Sequence, residues 1–287
     1  MTAPEPRGGP ASDPRVVVEG LGLHTASEAR VSLARAEGPV RVIVGGVAST
    51  ARDLTVVSTE WRTEVAPRGG GFCLATVEHV FAALAGLGLH EGVGVVVDGT
   101  ELPILDGAAL AWCDALTTLG VPASSPGTRV VRRGIIDIGQ SRYEFTPFDG
   151  IDVEVCLVLA DDRLAPRARW KGDEADFRAR IAPARTFAFE CDIPTILRLG
   201  LARHVPPTSV VIIGKDSIQA EGHPFARDEP ARHKLLDLMG DMYLAGGPPI
   251  GRVRALRPGH TANAAALRRA RAEGLLADTR CDHGGEG

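Results

Sequence analysis

Residues 29–35 (Ala-Arg-Val-Ser-Leu-Ala-Arg) alternate apolar with polar side chains, and residues 40–44 do the same. A period of two sends successive side chains to opposite faces, so both read as strands of a sheet with one wet face. Residues 15–24 read as a strand running into a Gly-rich turn, and 93–97 (Val-Gly-Val-Val-Val) as a buried strand. Between them the period changes. Residues 76–85 predict a helix with Thr76 as N-cap and Gly86 as stop, and 109–119 predict a second helix. Residues 122–128 (Pro-Ala-Ser-Ser-Pro-Gly-Thr) are the best linker in the chain. Beyond them come strands at 130–138, 143–148, 151–159, 184–189, 210–213 and 250–256, and helices near 195–200, 231–243 and 263–273. There is an internal echo. Glu78-His79 begins a helix ending Leu84-Ala85-Gly86 before a Val-rich strand, and His233-Lys234 begins one ending Leu244-Ala245-Gly246 before another apolar strand. The expected fold is α+β, in two similar halves that meet at a shared cleft.

Composition narrows the function classes. The chain has 287 residues, 44% hydrophobic and 24% charged, as in an ordinary soluble globular protein. A formal net charge of -4 gives no electrostatic case for nucleic acid or an anionic membrane. The five Cys (Cys73, Cys113, Cys156, Cys191, Cys281) are odd in number and form no C-x-x-C pair, which argues against a disulfide framework and fits a reducing cytosol. No signal peptide and no membrane-length apolar run is evident, so a cytoplasmic location is expected. Cys281 and His283 near the C-terminus are a weak further pair of metal donors.

Residues 231–243 carry the densest chemistry. His233, Asp237 and Asp241 stand at i, i+4 and i+8, one row on one helix face, with Leu235, Leu236, Met239, Met242 and Tyr243 as the apolar remainder. The row suits either an exposed, salt-bridged face or a metal site. Three His stand beside polar partners, His79 next to Glu78, His233 with Asp237, and His260, and two imidazoles with one carboxylate leave a fourth position open for water in a tetrahedral zinc site. Glu78, about 100° around the helix from His79, is poorly aimed at the same ion but could reach the bound water as a general base. His260, after Arg257-Pro258-Gly259 on a Gly-flanked turn, can protonate a leaving amine with Asp241 holding its charged form. Taken singly, Glu78 and Lys234 read rather as surface charges, and His260 as a polar loop residue.

Several motifs recur in one order: Thr76-Val77-Glu78-His79, Pro103-Ile104-Leu105-Asp106-Gly107, Ala184-Arg185-Thr186-Phe187, His233-Lys234-Leu235-Leu236-Asp237 with Gly240-Asp241, and Gly259-His260. In this the chain resembles the UDP-3-O-acyl-N-acetylglucosamine deacetylases, zinc amidases of lipid A biosynthesis, over residues 16–272. The resemblance implies two α+β domains, here 14–122 and 127–275, each a small sheet layered with helices, with the active site at their interface. It implies zinc held by His79, His233 and Asp237, Glu78 as base, and His260 as acid assisted by Asp241. It also implies Thr186 as oxyanion donor, Lys234 orienting substrate, Phe187 lining the sugar-nucleotide pocket, and Leu23 of the Gly-Leu-His turn among the substrate contacts. The substrate is then an acylated UDP-amino sugar, with neither nucleic acid nor a membrane-spanning segment involved. Residues 201–209 and 161–166 depart from the family pattern. A paralogue acting on another N-acetylated sugar nucleotide, or a non-catalytic binding protein on the same scaffold, are the alternatives.

Overall fold

A computed structural model describes residues 15–202 and 204–279. The chain runs through β1 (Arg15–Leu21), β2 (Glu28–Pro39), β3 (Arg41–Val44) and β4 (Val47–Thr50), then a small meander of β5 (Leu54–Ser58), β6 (Glu64–Pro67) and β7 (Leu74–Ala75). Helix α1 (Glu78–Gly86), β8 (Glu91–Asp98) and α2 (Leu110–Thr117) follow. The rest comprises β9 (Thr128–Val130), β10 (Gly134–Ile138), β11 (Ser141–Thr146), β12 (Ile151–Cys156), β13 (Arg167–Trp170), α3 (Glu174–Asp176), β14 (Thr186–Phe189), α4 (Ile193–Arg198), β15 (Val210–Ile213), β16 (Ile218–Ala220), α5 (Glu229–Tyr243), β17 (Gly251–Leu256), α6 (His260–Ala272) and β18 (Leu276–Asp278).

The internal echo is structural. One five-stranded sheet has the order β1-β2-β8-β3-β4 and the other β10-β11-β17-β12-β13. In each, the last strand in sequence enters the middle, parallel to one neighbour (β3 or β12) and antiparallel to the other (β2 or β11). In each, that strand follows a buried helix, α1 or α5. Alternation sets the faces: Ala29, Val31 and Leu33 of β2 are buried while Glu28 and Arg30 face water. One apolar core runs from Val31, Leu33 and Val95 through Phe81 and Leu84 of α1 and Leu238 and Met239 of α5 to Phe145 and Val253.

The pairing of α1 with α5 positions everything that follows. All nine residues of α1 are buried. On α5 only Arg232 and Lys234 escape burial, so its polar row is not a solvated face. The helices meet at Gly240, where an added Cβ would lie 2.1 Å from the Glu78 carbonyl oxygen. Only a glycine admits that approach.

Three sequence-based expectations change. Thr76 does not cap α1; its φ is +58°, Val77 takes the cap position, and the Thr76 hydroxyl donates to buried Glu101 Oε1 (2.7 Å). Glu101 also takes Thr25 Oγ1 (2.7 Å) and the His24 and Thr25 amides, so a buried carboxylate outbids the helix end for the hydroxyl. His260 lies in the first turn of α6, with Gly259 as cap, rather than on a free turn. The strand expected at 130–138 is two strands, β9 and β10, in different sheets. The four described cysteines are free, and Cys281 and His283 lie outside the described residues. Among the described residues no helix is long and apolar enough to cross a membrane.

Candidate active site

His79 comes from the first turn of α1, and His233 and Asp237 from successive turns of α5. One ligand atom from each lies within 4.8 Å of the others. Asp237 Oδ1 is 3.4 Å from His233 Nε2 and 3.9 Å from His79 Nε2, and the two rings meet edge to face. Asp237 Oδ2 is held by Lys234 Nζ at 2.8 Å. His233 Nδ1 sits 2.9 Å from the Ala184 carbonyl oxygen, which can only accept, so Nδ1 carries the proton and Nε2 turns its lone pair inward. All three groups are at most 4% exposed.

The electrostatics suit a cation. Burial pushes both imidazoles down, His79 to about 3, with the neighbouring His233 adding to the effect. Burial alone would raise Asp237, but His233, Lys234 and His260 around it hold its carboxyl well below the usual range. Neutral imidazoles and an ionised carboxylate are the ligating forms of these side chains. His79 Nδ1 is moreover buried without a hydrogen-bond partner. The donor set therefore fits a divalent ion of the zinc type, with three protein ligands.

Two further titratable groups face this triad with opposite bias. Burial raises Glu78 to about 7, against the pull of His260. Burial would lower His260, but the carboxylates of Asp241 and Asp237 lift it to about 9. His260 Nε2 lies 4.0 Å from Glu78 Oε1 and 3.8 Å from Asp237 Oδ2. Its Nδ1 is 3.0 Å from Asp241 Oδ2, which also accepts Asn263 Nδ2 (2.7 Å). Tyr143 of β11 donates to Asn263 Oδ1 at 2.5 Å, so a buried chain fixes the carboxylate behind the imidazole. At neutral pH Glu78 is near the midpoint of its titration and faces a His260 that is mostly charged.

Of the other sequence candidates, Phe187 and Lys234 adjoin this centre, and among the described residues no hydrogen bond or ring contact joins Thr186 or Leu23 to it. Phe187 stands edge-on to the His233 ring, and Lys234 Nζ is 5.5 Å from the Phe187 ring centre. Thr186 opens β14 and is fixed by its amide donating to the Gly107 carbonyl (2.7 Å). Gly107 itself (φ +75°) lies so close to Ser209 that a Cβ would meet the Ser209 carbonyl at 1.7 Å, which explains the Leu-Asp-Gly turn of residues 105–107. Arg185, beside Thr186, forms a buried ion pair with Glu229 (2.8 Å) rather than facing the centre. Leu23 is half-buried in the turn that Glu101 holds through His24 and Thr25. Sequence reasoning missed Thr63, Asn263 and Tyr143. Of these only Asn263, one turn along α6 from His260, carried a signal in its spacing.

Comparison with known proteins identifies the family. Residues 13–271 match the family model described as UDP-3-O-acyl N-acetylglycosamine deacetylase, LpxC. The chain is 35% identical over 268 residues to the UDP-3-O-acyl-N-acetylglucosamine deacetylase of Anaeromyxobacter dehalogenans, covering 90% of this chain and 86% of that protein. It is 32% identical over 267 residues to the protein of the same name from Brucella melitensis biotype 2, covering 88% and 91%. With the matched region spanning both sheets and every residue of the centre, the chain belongs to the UDP-3-O-acyl N-acetylglycosamine deacetylase family.

Proposed function

We propose that this protein hydrolyses the N-acetyl group of UDP-3-O-(3-hydroxyacyl)-N-acetylglucosamine, releasing acetate and the free amine for lipid A biosynthesis. Family membership supports the reaction. The observation that carries the mechanism is the pair Glu78 and His260, 4.0 Å apart beside the three-donor group and biased to opposite proton roles. His79, His233 and Asp237 would hold zinc, which when bound would supply Lewis acidity to water and to the amide carbonyl. Glu78 takes a proton from the attacking water. His260, kept charged by Asp241, gives its Nε2 proton to the departing nitrogen. Thr186 donates to the developing oxyanion. Lys234 orients substrate and Asp237, while Phe187 and Leu23 line the substrate path.

In this reading the two sheet-and-helix halves are domains, residues 14–122 and 127–275, and the site lies between them in a cytoplasmic enzyme. A non-catalytic binding protein is disfavoured, because burying these titratable groups costs stability that a scaffold without chemistry has no reason to carry. The test is acetate release from that substrate after chelation and again after zinc is restored. Loss followed by recovery is expected; release that ignores chelation sinks the metal role. No release from a zinc-loaded protein, with release from another N-acetylated sugar nucleotide, would mean a paralogue.

A further inference from the structure

Thr63 belongs to no strand or helix, yet it is 1% exposed and every one of its polar atoms is engaged at the centre. Its amide donates to Glu78 Oε2 (3.1 Å), and its carbonyl accepts from Val77, the residue before α1. Its hydroxyl donates to Asp241 Oδ1 (2.6 Å) and sits 3.0 Å from His260 Nδ1. A hydroxyl has one proton, and here Asp241 receives it. The contact with His260 is then acceptance of the Nδ1 hydrogen, shared between Thr63 Oγ1 and Asp241 Oδ2. With Nδ1 committed to hydrogen, Nε2 is left facing Glu78 and Asp237. The segment is tied a second time, since the Thr59 and Thr261 hydroxyls are 2.7 Å apart, joining it to the first turn of α6. Between the ties, Trp61 has φ +67°, a conformation that a bulky side chain adopts only where its surroundings impose it.

We propose that Thr63 is a positioning residue that holds base and acid in register, its backbone on Glu78 and its hydroxyl on the Asp241–His260 pair. The inference rests on the acid and base roles given above. The experiment compares Thr63→Val, which keeps shape and removes the hydroxyl, with Thr63→Ser, which restores it, in zinc-loaded protein. Thr63→Val is expected to lower kcat about ten- to a hundredfold, since small misplacements of reacting groups cost on that order. KM and zinc content stay within about twofold, and Thr63→Ser recovers to within about threefold of wild type. Because Thr63 acts through His260, Thr63→Val in a His260→Ala background adds less than about twofold.

Wild-type kcat in Thr63→Val, loss of zinc, or Thr63→Ser as poor as Thr63→Val would overturn the proposal. So would full additivity with an impaired His260→Ala. Normal turnover in His260→Ala instead removes the underlying acid role, and the Thr63 assignment falls with it.

Discussion

Replacing Gly240 with Ala tests whether the approach of α1 to α5 builds the site. Propensity alone favours the change, since Ala in a helix interior is worth about 1 kcal/mol over Gly. The packing opposes it. The new Cβ would sit 2.1 Å from the Glu78 carbonyl oxygen and within 2.9 Å of two further Glu78 backbone atoms. Ordinary contact begins near 3.4 Å, so the helices must part by about 1.3 Å, the difference between 3.4 and 2.1. The obstacle is backbone and has no rotamer to yield, and overpacking of this kind costs about 1–3 kcal/mol or more. A rigid obstacle puts the cost at the upper end of that range, so the clash wins by about 1–2 kcal/mol after the propensity gain, a fall in melting temperature of about 2–8 °C. The displaced residue bears Glu78 and adjoins His79, so a shift of about 1 Å is expected to cost about a hundredfold in kcat/KM where the variant is still folded. Thermal unfolding and steady-state acetate release, measured on zinc-loaded protein, read the two effects separately. A variant as stable as wild type or more so, with normal turnover, would refute the reasoning.

Glu78→Ala and His260→Ala are each expected to lower turnover by about two to four orders of magnitude, the usual worth of one base or acid, and normal rates in steady-state assays would end those roles. The rate should be bell-shaped in pH. Glu78 must be ionised, so activity falls as pH drops through about 7, and His260 must be protonated, so it falls as pH rises through about 9. A bound cation shifts both limbs down, and a profile whose acid limb survives Glu78→Gln argues against the assignment. Asp237→Ala should retain zinc poorly by elemental analysis after dialysis, and full occupancy would exclude it as a ligand. Arg185→Met leaves Glu229 buried and unpaired and should destabilise by about 3–5 kcal/mol in denaturant unfolding, whereas a loss under about 1 kcal/mol would mean that Glu229 finds another partner.

The candidate site was legible where local periodicity fixes geometry. One helix row gave His233, Asp237 and Asp241, and adjacency on α1 gave His79 and Glu78 their different directions. The α+β class followed from strand alternation and from the repeated helix-to-strand passage, which proved to be two sheets of one strand order. Tertiary structure alone decided the rest. Thr76 left its expected cap because Glu101, 25 residues on, needed its hydroxyl more. Thr63 sits in a segment without a period, and its hydroxyl meets Asp241 at a separation of 178 residues. Tyr143 reads as a core position of β11, yet its hydroxyl anchors Asn263 across 120 residues. The sequence by itself determined which side chains share a face, because the α and β periods depend only on neighbouring backbone. Which faces meet, and which buried polar atoms must then find each other, was decided by long-range closure around Gly240, a contact between distant segments that no local pattern encodes.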